Sequence, residues 1–88
     1  MKIDVQIIYD PQFDETEIVY KIAHVLPGEF EISLMEASTY YINARFQGEF
    51  DGETLRIDRV TDETGNLTKV EIAEMRYLCG NESIVWPE

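Results

Sequence analysis

The side chains most able to do chemistry are one histidine, His24, and one cysteine, Cys79. A nucleophilic cysteine needs a histidine base within hydrogen-bonding reach, and neither residue lies in a motif that would bring the two together. We interpret His24 as a structural residue on the flank of a helix and Cys79 as a small core side chain. A single cysteine also excludes an internal disulfide and favours a reducing compartment. We therefore expect no catalytic site and no enzyme.

The acidic residues and glycines do not form a pattern typical of a metal or phosphate site. One histidine and one cysteine cannot make a zinc cluster by themselves. The acids at positions 10, 14, 15 and 17 lack the glycine and the final glutamate that a calcium-binding EF-hand loop requires. The five glycines are dispersed along the chain and form no phosphate-binding loop. We expect neither a metal nor a cofactor.

Net charge is the most unusual property of the chain. Eighteen acidic residues against seven basic residues give a net charge of −11. Phosphate backbones and anionic membranes attract clustered lysines and arginines, so this charge disfavours both nucleic acid and membrane as direct partners. A basic protein surface is attracted instead. A simpler interpretation is that the charge only keeps a small protein in solution.

Length and composition indicate a single folded domain over residues 1–88. The hydrophobic fraction of 44% and the aromatic fraction of 11% are higher than a disordered chain usually has. No apolar run approaches the roughly 18 to 20 residues that a membrane span needs. Residues 1–9 alternate between apolar and polar, unlike a signal peptide. We expect a cytoplasmic protein.

The clearest helix signal lies over residues 14–26. Asp14 can cap the first turn, and Glu17 follows it at the spacing of a capping box. Ile18 lies at the spacing of a hydrophobic staple from residue 13. Pro27-Gly28 is a typical helix stop. The pattern therefore predicts one helix in the N-terminal half.

Alternating apolar and polar residues predict strands over residues 1–9, 29–36 and 40–50, with a hairpin after the last of these. Asp51-Gly52 is a strong two-residue turn signal, because both positions tolerate a positive φ. So tight a turn would pair Phe46 with Ile57, Gly48 with Leu55 and Arg45 with Asp58. Glycine at position 48, inside a strand, also predicts a β-bulge or a sharp bend.

The C-terminal third is less distinct. Residues 71–79 fit either a bulged strand or a short helix, and residues 84–86 fit a short closing strand at a sheet edge. Each predicted helix and strand has an apolar side that must be buried. This requirement predicts an α+β domain, with one helix from the N-terminal half packed on a four- to five-stranded, mainly antiparallel sheet. A strand kinked at Gly48 allows an alternative, a small curled barrel similar in strand pattern to Sm-like and SH3-like barrels.

Two groups of acidic residues and one tyrosine form the predicted partner-binding surface. The first group lies around the start of the predicted helix, and the second surrounds the hairpin turn. The tyrosine is expected to point outward beside Arg45, since exposed tyrosines near arginine often anchor protein interfaces. The predicted contact residues are Asp10, Asp14, Glu15, Glu17, Tyr41, Glu49, Asp51 and Glu53.

The leading functional hypothesis is a small non-enzymatic protein, monomeric or homodimeric, that binds a basic protein surface. In its narrowest form, the carboxylates imitate nucleic-acid phosphates and inhibit a nucleic-acid-binding protein, as small phage-encoded inhibitors of host defence do. The alternative is a generic protein-binding or homodimerising regulatory domain that uses a sheet edge or an aromatic patch, with charge serving only solubility. A small enzyme or ligand-binding domain ranks last.

Overall fold

The apolar residues of this chain are buried between one sheet and two helices. The structure is a computed structural model that describes residues 1–10, 12 and 15–88. The roles predicted for residue 13 and for Asp14 lie outside these residues. In chain order, the elements are β1 (Lys2–Asp10), β2 (Glu15–Tyr20), α1 (Gly28–Ala37), β3 (Asn43–Phe50), β4 (Leu55–Asp62), β5 (Gly65–Asn66), α2 (Lys69–Cys79) and β6 (Ile84–Val85). The predicted α+β class is confirmed.

The sheet is open and almost entirely antiparallel. Its strand order is β2-β1-β3-β4-β5, and the short strand β6 pairs in parallel with β4. Among the described residues no pairing joins β2 to β5, so the sheet does not close into the barrel considered as an alternative. The predicted short closing strand near the C-terminus is confirmed as β6.

Both helices cover the same face of the sheet, where the core lies. Ile3, Val5 and Ile7 alternate along β1 with more exposed residues and point into this core. Phe30 of α1 packs edge-on against Phe50 of β3, with ring centroids 5.1 Å apart. Burial of each such large side chain contributes about 2 kcal/mol to stability. The core therefore fixes α1 and α2 over one face and leaves the other face to solvent.

The segment predicted as the clearest helix is instead strand β2. Glu15–Tyr20 pairs antiparallel with β1 along its whole length. Thr16, Ile18 and Tyr20 share one face of this strand, and its β-branched and aromatic residues suit a pleated surface. The helix prediction depended on local capping signals, and pairing with the adjacent strand β1 overrides them.

The segment predicted as a strand over residues 29–36 is instead helix α1. Its buried residues are Phe30, Ser33, Leu34 and Ala37, which follow the helical spacing, whereas Ile32 is exposed. Pro27 precedes the first turn and accepts hydrogen bonds from the N–H groups of the third and fourth residues after it. Pro27 is the N-cap residue with an extended ψ of 146°, a position where the missing N–H of proline costs the helix no hydrogen bond. Pro27 therefore begins a helix and does not end one.

The predicted hairpin exists, but the predicted register is wrong. A four-residue turn over residues 51–54 replaces the two-residue turn, because the Asp51 carboxylate accepts hydrogen bonds from the Glu53 and Thr54 N–H groups at 2.8 and 2.7 Å. Gly52 does take a positive φ of 102°. The observed pairs are Phe50 with Leu55, Gly48 with Ile57 and Phe46 with Val60.

The bulge predicted at Gly48 is confirmed. The register shifts between Gln47 and Gly48, because Gln47 pairs with Arg59 and Gly48 pairs with Ile57. Asp58 is thus the extra residue on β4. A Cβ atom on Gly48 would lie 1.9 Å from the Arg56 carbonyl oxygen, so only glycine fits here.

Helix α2 (Lys69–Cys79) covers residues 71–79, for which strand and helix were both open. The Thr68 hydroxyl accepts a hydrogen bond from the Glu71 N–H at 3.2 Å and caps the first turn. Gly80 ends the helix with a φ of 60°. After β6, Trp86 is buried edge-on against Phe46, with centroids 6.1 Å apart. Neither helix in the described residues is long and apolar enough to cross a lipid bilayer.

Candidate protein-binding surfaces

The sheet face that no helix covers, here called the open face, carries most of the basic residues. Alternation along the strands places polar and charged side chains there. Five of the seven basic residues lie on it or beside it: Lys2, Lys21, Arg45, Arg56 and Arg59. Its carboxylates are Asp4, Asp10, Glu15, Glu17, Glu49 and Asp58. Asp62 lies beside it in a cleft with Arg45, and the N-terminal ammonium adds a positive charge next to Glu49. The open face is therefore close to electrically neutral.

Asp4 and Arg45 form the best-defined ion pair on the open face. The guanidinium donates two hydrogen bonds to the two carboxylate oxygens, Nε to Oδ1 at 2.8 Å and Nη2 to Oδ2 at 2.6 Å. The Asp4 side chain is only 12% exposed. The hydrogen bond from Arg45 lowers the pKa of Asp4 and outweighs the opposing effect of burial, with Lys21 nearby adding to the lowering.

Arg45 was predicted to pair with Asp58, and that prediction is wrong. Asp58 instead accepts a hydrogen bond from Arg56 Nε at 2.8 Å, two residues away on the same strand. The adjacency of β1 and β3 brings Asp4 to Arg45, and a hairpin considered alone does not contain that adjacency.

The outward surfaces of α1 and α2 carry carboxylates without matching cations. We call this surface the outer helix surface and define it by Glu29, Ile32 and Glu36 of α1 and by Val70, Glu74 and Tyr77 of α2, all exposed. Among the described residues, none of its three glutamates forms an ion pair. The two basic residues of α2, Lys69 and Arg76, line a cleft on its flank with Pro87 and Glu88.

The pKa values of two tyrosines beside the helices are raised, in part by nearby carboxylates. Burial raises the pKa of Tyr41, and the nearby charges of Glu71, Glu74 and Asp62 raise it further. Burial and a hydrogen bond that its hydroxyl donates to Glu31 raise the pKa of Tyr20 to about 12. On the open face, by contrast, a neighbouring cation lowers the pKa of Asp4.

Large apolar side chains lie exposed among these carboxylates. Tyr77 is 85% exposed, Val70 is 78% exposed and Ile32 is 58% exposed. The helical spacing sets each of them opposite the buried stripe of its helix. Exposed aromatic and aliphatic side chains close to charge are typical of protein interfaces, where the apolar groups supply binding energy and the charges supply orientation.

The acidic residues predicted as partner contacts are divided between two ends of the sheet. Asp10 pairs with Glu15 at one end of β1, and Lys2 pairs with Glu49 at the other. The two ends of β1 are eight residue steps apart, about 26 Å. Glu17 lies near the first group, two residues from Glu15 along β2. Asp14 is outside the described residues. These residues therefore do not form one continuous face.

The hairpin-tip acids already have intramolecular partners, with one exception. Backbone hydrogen bonds from Thr54 and Glu53 lower the pKa of Asp51, whose carboxylate holds the turn. Glu49 lies 3.2 Å from the N-terminal ammonium. Glu53 is exposed at the tip. Asp51 is therefore a structural residue, whatever else the tip contacts.

Tyr41 is not the outward tyrosine. Its side chain packs against the core, whereas the neighbouring Tyr40 is 68% exposed. The strand alternation that predicted the opposite begins only at Asn43, so it does not govern these two residues.

His24 and Cys79 occupy different environments. His24 is exposed in the loop between β2 and α1 and not on a helix, so its predicted helical position is wrong. Cys79 is buried at the end of α2, as predicted for a core side chain. In the part of the chain that the structure describes, no three histidine, cysteine, aspartate or glutamate side chains are arranged to hold a metal ion.

Sequence reasoning did not identify the outer helix surface. Its residues come from one segment assigned to a strand and from another left between strand and helix. Testing residues 28–37 for helical spacing would have identified Ile32 as an outward-facing residue.

The chain matches no protein-family model, and comparisons with curated proteins and with solved structures find no significant match.

Proposed function

We propose that this protein is a small non-enzymatic binding domain that docks on a basic protein surface through its outer helix surface. The observation that supports this proposal is a division of side chains between the two faces. Unpaired carboxylates and large exposed apolar side chains share the helical side, while most basic residues lie on the open face. The charge on the helical side is thus available to an external cation.

The net charge of −11 provides long-range attraction to a cationic partner. Such attraction raises the rate of encounter and decays over a Debye length of about 10 Å at 0.1 M salt. The glutamates of the outer helix surface, which form no ion pair among the described residues, also orient the partner toward α1 and α2. Binding should therefore weaken steeply as salt is raised.

The apolar residues provide the short-range part of the interaction. Val70 and Tyr77 lie seven residues apart on α2, about two helical turns, and Ile32 lies on α1. Removing such an anchor from the centre of an interface commonly costs tenfold or more in affinity, about 1.4 kcal/mol. A protein partner can bury these side chains, whereas a small cation cannot.

A narrower form of the proposal is competition with nucleic acid. Proteins that bind nucleic acid present clustered lysines and arginines, which the carboxylates of the outer helix surface can occupy in place of phosphates. Displacement of a labelled oligonucleotide from the captured partner tests this form separately. If the partner binds this protein and its oligonucleotide together, the competitive form is wrong and the binding proposal stands.

The experiment uses two matched charge reversals in a capture assay. Glu74 on the outer helix surface and Glu53 at the hairpin tip are both exposed glutamates, and Glu74→Lys and Glu53→Lys change the net charge equally. Wild type and each variant are immobilised, and the proteins retained from a lysate at 50 mM salt are identified and their affinities measured. We expect basic proteins to be retained by wild type and Glu53→Lys, with affinity reduced about tenfold by Glu74→Lys.

Two results would contradict the proposal. One is equal loss of binding in Glu74→Lys and Glu53→Lys, which would mean that only net charge matters. The other is an affinity that does not change between 50 and 500 mM salt. Tyr77→Ala provides a second test, because it removes an apolar anchor without altering charge.

A further inference from the structure

Strand β2 is an edge of the sheet with unpaired backbone groups. The Lys21 N–H donates to the Asp4 carbonyl oxygen at 2.9 Å, next to the end of the β1–β2 ladder. Alternate residues of an antiparallel pair bond to each other, so Glu17 and Val19 bond toward β1. The N–H and C=O groups of Thr16, Ile18 and Tyr20 therefore point away from the sheet. No strand pairs with them in the described part of the chain.

A groove runs beside this edge on the helical side. Its volume is about 350 Å³. Ile7, Tyr9 and Thr16 of the sheet form its floor, and the C-terminal part of α1, including Met35 and Glu36, forms its wall. The side chains of an added strand that lie next to Thr16 and Ile18 would point into this groove. The groove therefore favours apolar side chains at alternate positions.

The opposite side of the same edge is acidic. Glu15 and Glu17 alternate with Thr16 and Ile18, so they project on the open face, and Asp10 is the direct cross-strand neighbour of Glu15. None of the three forms an ion pair among the described residues. The remaining positions of an added strand would lie beside Glu15 and Glu17. Lysine or arginine at those positions would balance this charge.

We propose that the β2 edge binds an extended segment of a partner protein in which apolar and basic residues alternate. The segment adds to the sheet beside β2, with its apolar residues in the groove and its basic residues against Glu15 and Glu17. Main-chain hydrogen bonds to Thr16, Ile18 and Tyr20 provide the attachment. This site borders the outer helix surface at Glu36 but does not include its α2 residues, and the inference does not depend on the proposed function.

A second copy of this chain is a poorer occupant of the same edge. It would bring another net charge of −11, including its own Glu15 and Glu17, to a site that is already acidic. Exposed edge strands often carry charges that prevent self-association. The acidic residues thus oppose a copy of the chain and attract a cationic strand.

The test uses a synthetic ten-residue peptide of alternating valine and lysine, added to the isotope-labelled protein. Amide hydrogen exchange of Thr16, Ile18 and Tyr20 should slow at least tenfold when the peptide binds. The amides of Glu17 and Val19, already bonded to β1, should not change. A peptide with N-methyl groups on alternate residues cannot form the ladder and should bind at least tenfold more weakly. A valine–glutamate peptide should not bind.

Two protein variants test the same edge. Thr16→Pro removes an outward N–H that makes no bond to β1, so the sheet should tolerate it, and peptide binding should fall about tenfold or more. Thr16→Val keeps the N–H and is the matched control. Glu17→Lys should weaken the valine–lysine peptide and permit the valine–glutamate peptide to bind.

The proposal is overturned if the valine–lysine peptide does not bind at about 1 mM, or if Thr16→Pro and Thr16→Val bind it equally. Peptide-induced shifts confined to α2 would also overturn it. If sedimentation shows a dimer that Thr16→Pro abolishes, a second copy occupies the edge and the basic strand does not. Glu74→Lys should leave peptide binding within about twofold of wild type. This variant therefore distinguishes failure of the β2-edge proposal from failure of the proposal for the outer helix surface.

Discussion

The open face and the outer helix surface differ in whether their charged side chains form ion pairs. On the open face, Asp4 pairs with Arg45, Asp58 pairs with Arg56, and Glu49 lies against the N-terminal ammonium. On the outer helix surface, the glutamates have no such partners among the described residues, and large apolar side chains stand between them. The open face, with five of the seven basic residues, therefore contributes little to the net charge of −11.

This difference separates residues that maintain the fold from residues that are free to bind. A charge that already has a partner gains little from an external one, whereas an unpaired carboxylate keeps its field for a ligand. Asp10, Glu15 and Glu17 on the open face form no ion pair among the described residues, and they border the β2 edge. Stability measurements should therefore be sensitive to the sheet and its core, and binding measurements to the helices and that edge.

The largest expected effect on stability comes from the bulge in the sheet. Gly48→Val places a side chain against the Arg56 carbonyl oxygen, where even a Cβ atom would lie 1.9 Å away. We expect a loss of about 3 kcal/mol or more in the free energy of unfolding, measured by urea denaturation. Gly28→Ala, in a position with free space around the Cβ, is the control and should change stability by about 0.5 kcal/mol. Equal effects would contradict the observed register.

The two sides of helix α1 should differ almost as much. Leu34 is completely buried, and Leu34→Ala should cost about 3 kcal/mol. Ile32, two residues earlier, is exposed, and Ile32→Ser should cost less than about 0.5 kcal/mol. Thermal and urea denaturation measure both. A large loss in Ile32→Ser would show that Ile32 supports the fold and is not available to a partner.

The ion pairs of the open face should contribute unequally. Asp4→Asn removes a buried partner of Arg45 and should lower the melting temperature by a few degrees at pH 7. Asp58→Asn, in a pair whose two side chains are both more than half exposed, should leave it unchanged.

Acid titration distinguishes the same two pairs. The pKa of Asp4 lies below its unfolded value of about 3.8, so the pair stabilises the protein above that pH. This contribution is lost as pH falls through the lower pKa of the folded state. Wild type and Asp4→Asn should therefore converge in stability as the pH falls below 3.8 and through the lower pKa of the folded state. A difference that stays constant across this range would mean that the aspartate acts through packing.

The smallest expected effect concerns Tyr20 beside Glu31. Its pKa is raised from 10 to about 12 in the folded state, so the neutral hydroxyl stabilises the protein below pH 10. That stabilisation is lost as pH rises through 12. Tyr20→Phe should therefore show a shallower loss of stability than wild type between pH 10 and 12. Identical alkaline slopes would place Tyr20 outside the influence of Glu31.

The sequence was sufficient for the features that one segment determines by itself. Strand β1 follows from its strict alternation, and the bulge follows from glycine inside a strand. The α+β class follows from the need to bury the apolar sides of both the strands and the helix. Cys79 in the core and the short strand β6 are predicted on the same local grounds.

Residues 14–37 show the limit of local sequence signals, because the predicted helix is a strand in the structure and the predicted strand is a helix. Capping signals near Asp14 favoured a helix, but β1 needs a neighbour, and Glu15–Tyr20 is near enough in the chain to provide it. The alternation of Phe30, Ile32 and Leu34 favoured a strand, but the packed structure buries Phe30, Ser33 and Leu34 instead. Both choices depend on tertiary contacts, which override propensities of a few tenths of a kcal/mol per residue.

The candidate surfaces were harder to predict than the fold. Placing Arg45 beside Asp4 requires knowledge that β1 and β3 are neighbours. Placing Ile32 and Tyr77 on one outer surface requires knowledge that both segments are helices. The acidic composition predicts a basic partner, but it does not predict the side of the molecule on which such a partner would bind.

Chemical-shift mapping of the labelled protein bound to its captured basic partner tests the central claim most directly. The account predicts that the largest amide shifts fall on the outer helix surface, around Glu29–Glu36 of α1 and Val70–Tyr77 of α2. Shifts should be small at Arg45 and Gln47 on the open face, and a salt increase should reverse the shifts. Shifts concentrated on the open face or at the hairpin tip over residues 51–54, with the helices unchanged, would contradict it.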